Sequence, residues 1–178
     1  MKEDIQTELV RAAQGGNIES FGRLCSRYYT PMVALAYSVL LDHHLAEDAV
    51  QEAYARALTN LPKLRRAEKF APWLAQICRN IAIDLVRKAA RDAGSEQIVP
   101  AARGQDDDSD CHAVRQAIGR LPAPDRELIV LKYYDGLSYE QISAVLGISG
   151  PAVNGRLTRA KRKLAKHLRR QGILEDRP

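Results

Sequence analysis

Apolar residues recur every three or four positions along most of the chain, the period of amphipathic helices. Ile5, Leu9 and Ala12 or Ala13 predict a first helix, stopped by Gly15-Gly16. Asn17 is placed to cap a second. Its stripe runs Phe21, Leu24, Cys25, Tyr28 and continues through Tyr29, Met32, Val33, Ala36, Tyr37 and Leu40. Pro31 removes one intrahelical bond there and either kinks or tightens the segment. A third helix starts at Asp42 or just after, turns Ala49, Ala53, Ala57 and Leu58 inward, and ends at Asn60-Leu61-Pro62. A basic connection, KLRRAEK at 63–69, leads to a fourth helix from Phe70 to the vicinity of Arg91. Trp73, Leu74, Ile77, Ile81 and Leu85 or Val86 form its apolar side, and Pro72 falls in the first turn, where proline is tolerated.

The periodicity vanishes over residues 94–111, GSEQIVPAARGQDDDSDC. A stretch of that composition cannot bury enough surface to order itself, so it reads as a flexible acidic linker. Beyond it, Val114, Ala117, Ile118 and Leu121 open a new helix, Pro122-Ala123-Pro124 interrupts it, and Leu128 to Tyr134 forms a strongly apolar one. The sequence DGLSYEQISAVLGISGPAVNGRLTRAKRKLAK (135–166) then has the grammar of a helix-turn-helix. Ser138 and Gln141 fit a capping box, and Ile142, Val145 and Leu146 form the stripe. Gly147 ends the helix. Ser149 caps the next, with Pro151 in its first turn. The expected fold is all-α: two small helical domains, 1–93 and 112–178, joined by a flexible linker.

Charge sharpens this picture. The 178 residues carry a net +5, distributed as about +2 over 1–93, −4 over 94–111 and +7 over 112–178. From Arg156 to Arg170 there are eight Lys or Arg and no acid, while Leu157, Ala160, Leu164 and Leu168 supply a packing face. Such a helix can lie in a DNA major groove with its cations on phosphates. The N-terminus lacks the apolar run of a signal peptide, and no stretch is long enough to span a bilayer, so a cytoplasmic chain is expected. Cys25, Cys78 and Cys111 have no paired spacing and read as buried or incidental thiols. His43-His44 and Cys111-His112 lack the second pair a metal site needs, and no set of acids suits acid–base or metal-assisted catalysis. No cofactor and no enzymatic activity are expected.

Four segments together resemble the bacterial RNA polymerase sigma factors of the extracytoplasmic-function group. LAEDAVQEAYARAL (45–58) is similar to the family's polymerase-binding helix, and FAPWLAQICRNIAIDLVRKAAR (70–91) to its promoter-melting helix. LPAPDRELIVLKYYDGLSYEQISAVLGIS (121–149) and AVNGRLTRAKRKL (152–164) resemble its helix-turn-helix. The resemblance implies that core RNA polymerase and promoter DNA are partners, and that an anti-sigma factor holds the chain when inactive.

It also assigns roles. Glu47, Asp48, Gln51 and Glu52 form a polar face opposite the alanines, and the resemblance makes that face the dock for the polymerase's largest subunit. Lys63, Arg65 and Arg66 of the basic connection, with Arg79, Asn80, Arg87, Lys88 and Arg91 of the following helix, are implied to hold the unpaired −10 strand. Trp73 reads as core. Ser149, Asn154, Gly155, Arg156, Thr158 and Arg159 are implied to meet the −35 element, with Lys161 and Arg162 nearer phosphates. Arg suits guanine and Asn adenine, each good pair contributing about 1–3 kcal/mol of discrimination. Two residues depart from the family: Pro151-Ala152 stands where Gly-Thr is usual, and Gly155 where Ser is usual. The competing reading is a stand-alone helix-turn-helix regulator binding duplex as a dimer, which would need a dimerisation helix that the sequence does not offer.

Overall fold

A computed structural model describes residues 2–92, 114 and 116–174, so the predicted linker lies outside the described residues. All regular structure among them is helical. The first unit consists of α1 (Lys2–Gln14), α2 (Ile18–Leu40), α3 (His43–Asn60) and α4 (Phe70–Asp92). Two single 3₁₀ turns, Leu61–Lys63 and Ala67–Lys69, connect α3 to α4. The second unit consists of α5 (Ala123–Ile129), a π turn (Val130–Tyr134), α6 (Tyr139–Leu146) and α7 (Gly150–Arg170).

The expected punctuation sets the boundaries. The Asn17 carboxamide oxygen accepts from the Ser20 amide at 2.8 Å, and the Asp42 carboxylate accepts from the Leu45 amide at 2.9 Å. Pro31 lies within a continuous α2. That helix ends at Leu41, whose φ of 54° is left-handed, an arrangement costing a non-glycine residue about 1–2 kcal/mol. Its amide still closes on the Tyr37 carbonyl.

Small residues let the first unit close tightly. Ala46, Ala49, Val50, Ala53 and Ala57 are buried along α3, so α2 and α4 pack directly onto its backbone ridge. Leu24, Met32, Leu35, Phe70 and Leu74 fill the space between. Tyr28, Phe70 and Trp73 form a tilted aromatic row, with centroids 5.6 and 5.8 Å apart, the spacing aromatic pairs prefer. Leu58 and Val86, expected inside, are exposed instead, and Val10 is fully buried. Cys78 is buried and Cys25 half-buried, and desolvation pushes their thiols up to about 12 and about 11. Both behave as small apolar residues.

The two predicted units are present, but they are also packed on one another. One continuous apolar core runs through both, with α5 and the π turn against α2, and α6 against α4. The seam is unusually polar. Arg126 and Glu127 are each 5% exposed. The Arg126 guanidinium donates to the Ser38 carbonyl across the seam and to the Gly119 and Leu121 carbonyls on its own side, the latter two at 3.0 and 3.1 Å. Periodicity could not predict this contact, because charged residues at a short helix's start read as solvated.

Asp135, just after the π turn, is a second buried charge. Both its carboxyl oxygens are shut off from solvent, though the residue as a whole is partly exposed, and neither has a hydrogen-bond partner among the described residues. Desolvation pushes this carboxyl up to about 8. A folded-state value raised above the unfolded one means the folded chain keeps a proton that the unfolded chain releases. The associated stability is complete below about pH 4, the ordinary carboxylate range, and is lost as pH rises towards 8. Asp135→Asn should therefore flatten the fall in urea midpoint between those values relative to the parent chain. Parallel pH profiles for the two would contradict the burial of this carboxyl.

Candidate polymerase and nucleic-acid interfaces

Three surfaces gather the polar residues of interest. The first is the solvent side of α3, opposite its buried alanines. Asp48, Gln51 and Glu52 are exposed there. Glu52 also holds Arg56 at 2.7 Å. Glu47 is turned towards α2, where the Tyr29 hydroxyl donates to it at 2.8 Å. That hydrogen bond raises the Tyr29 hydroxyl above its ordinary value. The predicted quartet thus divides into three residues facing solvent and one tied to the neighbouring helix.

The second surface is a cleft of about 440 Å³ where the end of α3, the basic connection and α4 meet. Lys63, Arg65 and Asn80 line it as predicted, joined by Arg56, Asn60, Leu64, Trp73 and Ile77. Gln14 of α1 builds the rim: its amide nitrogen donates to the Leu61 and Leu64 carbonyls at 3.0 and 2.7 Å, holding the connection against the bundle. Lys63 donates to the Asn60 side chain at 3.1 Å. Trp73, read from sequence as core, is partly buried, with its ring tilted on Phe70 and an edge in the cleft.

The other predicted members of this set lie elsewhere. Arg66 points out and pairs with Glu68 at 2.7 Å. Glu68 is held below its ordinary value by a backbone hydrogen bond and by Arg66. Arg87, Lys88 and Arg91 line a larger neighbouring groove of about 710 Å³ between α3 and α4, facing Asp48, Glu52 and Asp84. Arg79 faces the second unit, where its Nε meets the Glu127 carboxylate at 2.6 Å. Sequence reasoning missed Arg56, which lines both cavities. The available signal was its spacing of four from Glu52, which puts it on the same polar stripe.

The third surface is the helix-turn-helix. Ser138 and Gln141 make both halves of the capping box, at 2.8 and 3.2 Å. Gly147 is left-handed at φ 66°, the conformation that a turn ending α6 requires. The Ser149 hydroxyl accepts from the Ala152 amide at 3.4 Å, so this residue serves as the N-cap of α7. Val153, Leu157 and Ala160 of α7 are buried and the helix packs on α5. Asn154, Arg156, Thr158, Arg159, Lys161 and Arg162 are all exposed, and Gly155 is partly exposed. Asp125 of α5 braces the helix through Lys163 at 2.6 Å, and Lys161 sits over the Tyr133 ring at 5.9 Å. The cationic face expected for a major-groove helix is therefore formed and open.

Among the described residues no group of three His, Cys, Asp or Glu side chains could hold a metal ion, and no helix is long and apolar enough to cross a membrane.

Comparison with known proteins accounts for the pairing of these surfaces in one chain. Residues 24–92 match the model of sigma-70 region 2, and residues 111–164 that of sigma-70 region 4. The chain is 32% identical over 177 residues to the ECF RNA polymerase sigma factor SigW of Bacillus subtilis, covering 90% of this chain and 95% of that one. The chain is an extracytoplasmic-function RNA polymerase sigma factor. It is also 31% identical to the "Probable RNA polymerase sigma factor RfaY" of Xanthomonas campestris, 43% of whose length it spans. Among solved structures, the sigma factor RpoE of Bartonella quintana, crystallised with the anti-sigma factor NepR, is 27% identical, with a TM-score of 0.71 over 85% of this chain and 98% of that one. Sigma factors are regulatory, non-catalytic proteins.

Within this sigma factor, Gly155 is not required by the chain's own packing. A Cβ built there meets nothing closer than the Arg159 guanidinium at 3.7 Å. Gly155→Ala should raise stability by about 0.5–1 kcal/mol through the helix preference of alanine. Chemical denaturation checks this; a loss of stability would reveal a constraint at α7 other than packing.

Proposed function

We propose that this sigma factor docks on core RNA polymerase through the exposed face of α3, holds an unpaired −10 strand in the cleft between the basic connection and α4, and reads the duplex −35 element with α7. In this reading residues 1–93 form the docking and melting unit and residues 112–178 the −35 unit. The observation that carries it is the composition of the cleft. Lys63, Arg65 and Arg56 supply cations for a phosphate backbone, Asn80 offers an amide to a base edge, and Trp73 with Ile77 and Leu64 offers an apolar wall. Stacking of a base on an aromatic ring contributes about 1–3 kcal/mol, and extruding one from a duplex costs a few. A pocket that binds the base only when extruded thus favours strand opening.

Asp48, Gln51 and Glu52 supply the docking surface, with Glu47 supporting it from the α2 side. The amphipathic division of α7 supports the −35 role: Asn154, Arg156, Thr158 and Arg159 stand at its N-terminal end, where helix-turn-helix proteins meet base edges. Lys161 and Arg162 suit phosphates. An anti-sigma factor is a further partner, by analogy with the NepR complex. The chain acts without catalysis of its own, in the cytoplasm, where the polymerase works. A dimeric stand-alone regulator is not favoured, because region 2 is matched as well as region 4.

Run-off transcription with purified core polymerase tests the whole reading: addition of the chain should produce specific starts, and failure across a promoter library would refute it. Asp48→Arg should abolish co-purification with core enzyme while leaving the helical circular dichroism spectrum unchanged. Trp73→Ala combined with Asn80→Ala should cut permanganate-detected promoter opening roughly tenfold or more, given the stacking energy at stake. Duplex −35 binding should persist in that variant, and undiminished opening would remove the cleft from the mechanism.

A further inference from the structure

The seam joins two surfaces that would each be expected to face DNA. Arg79 of α4 is bound to Glu127 of α5 at 2.6 Å, the Arg side chain 22% and the Glu side chain 7% exposed. Lys69, immediately before α4, is bound to Glu140 of α6 at 3.0 Å. Glu140 is held below its ordinary value by that lysine. In both pairs the cation belongs to the first unit and the carboxylate to the second. A carboxylate offers the same charge-assisted acceptor oxygens as a phosphate, so each occupies a cation that a nucleic-acid strand could take. The first helix of the helix-turn-helix, α6, at the same time lies against α4.

The rest of the seam is built for reversibility. Burying Arg126, Glu127 and the unpartnered Asp135 carries desolvation costs that an apolar contact would not. The solvent face of α3 does not share in the closure: Asp48, Gln51 and Glu52 stay exposed.

We propose that this seam is an autoinhibitory contact, in which Glu127 and Glu140 stand in for DNA phosphates on Arg79 and Lys69. The packed chain is competent to dock on polymerase but not to hold the −10 strand until its two units separate. The inference rests on the assignment of α4 to that strand. It gives the otherwise unexplained acids of α5 and α6 a function, and explains why Arg79 stands apart from the cleft that gathers Lys63, Arg65 and Asn80.

The test uses the full chain, small-angle X-ray scattering, and fluorescence anisotropy with a short fluorescein-labelled single strand of degenerate sequence. The parent chain should scatter as one compact particle at physiological salt. Glu127→Gln combined with Glu140→Gln should enlarge the radius of gyration and tighten strand binding about tenfold, equivalent to about 1.4 kcal/mol. The charge swap Arg79→Glu with Glu127→Arg should restore compactness without restoring strand affinity, which separates loss of the latch from loss of folding. An already extended parent chain, or a double glutamine variant unchanged in size, overturns the proposal. Equal strand affinity in a compact parent and an expanded variant also overturns it and leaves the −10 reading standing. Absence of strand binding by either chain overturns the −10 assignment of α4 itself, and the autoinhibition with it.

Discussion

The buried guanidinium of Arg126 decides how the two halves of this sigma factor sit together. Its donors close on the Ser38 carbonyl of α2 and on the Gly119 and Leu121 carbonyls that precede α5. Ser38 can present that carbonyl because it lies at the end of α2, where the last carbonyls of a helix lack intrahelical partners. The Ser38 hydroxyl meanwhile turns back to the Leu35 carbonyl at 2.7 Å. A buried cation is tolerable only when its hydrogen bonds are made, so this geometry fixes where α5 rests. The position of α5 in turn sets Glu127 on Arg79 and α6 on α4.

Within the first unit the governing constraint is steric. Alanine at 46, 49, 53 and 57 brings α3 close to its neighbours, and the Gln14 amide clamps the connection that follows. The close approach leaves the polar face of α3 free for a partner, and the clamp gives the cleft beside Trp73 a rim. Packing and interface are thus opposite sides of one helix. In the second unit the same division recurs: Val153, Leu157 and Ala160 hold α7 to the body, leaving a continuous cationic surface outside.

Helix existence and helix boundaries were legible in the chain, because caps and breakers act locally. Asn17, Asp42, Ser138, Gly147 and Ser149 each perform the role their chemistry suggests. The grouping of the cations was not legible. Lys63, Arg65, Arg66, Arg79, Asn80, Arg87, Lys88 and Arg91 read as one set along the sequence, yet they disperse over the cleft, the neighbouring groove, a local pair with Glu68 and the seam. Successive helical residues point about 100° apart, so neighbours in sequence serve different surfaces. Arg56 joins the cleft from another helix for the same reason.

By itself the sequence determined an all-helical chain of two units, the polar face of α3 and the cationic helix-turn-helix, since each depends on periodicity and end-capping within a few turns. The family followed from the order of those pieces. Only the tertiary structure decided that Trp73 turns an edge to a cleft, that Leu58 and Val86 face water, and that Arg126, Glu127 and Asp135 are buried. Those outcomes depend on which surfaces meet across long stretches of chain, and a charged residue carries no local mark of the partner that will take it out of solvent.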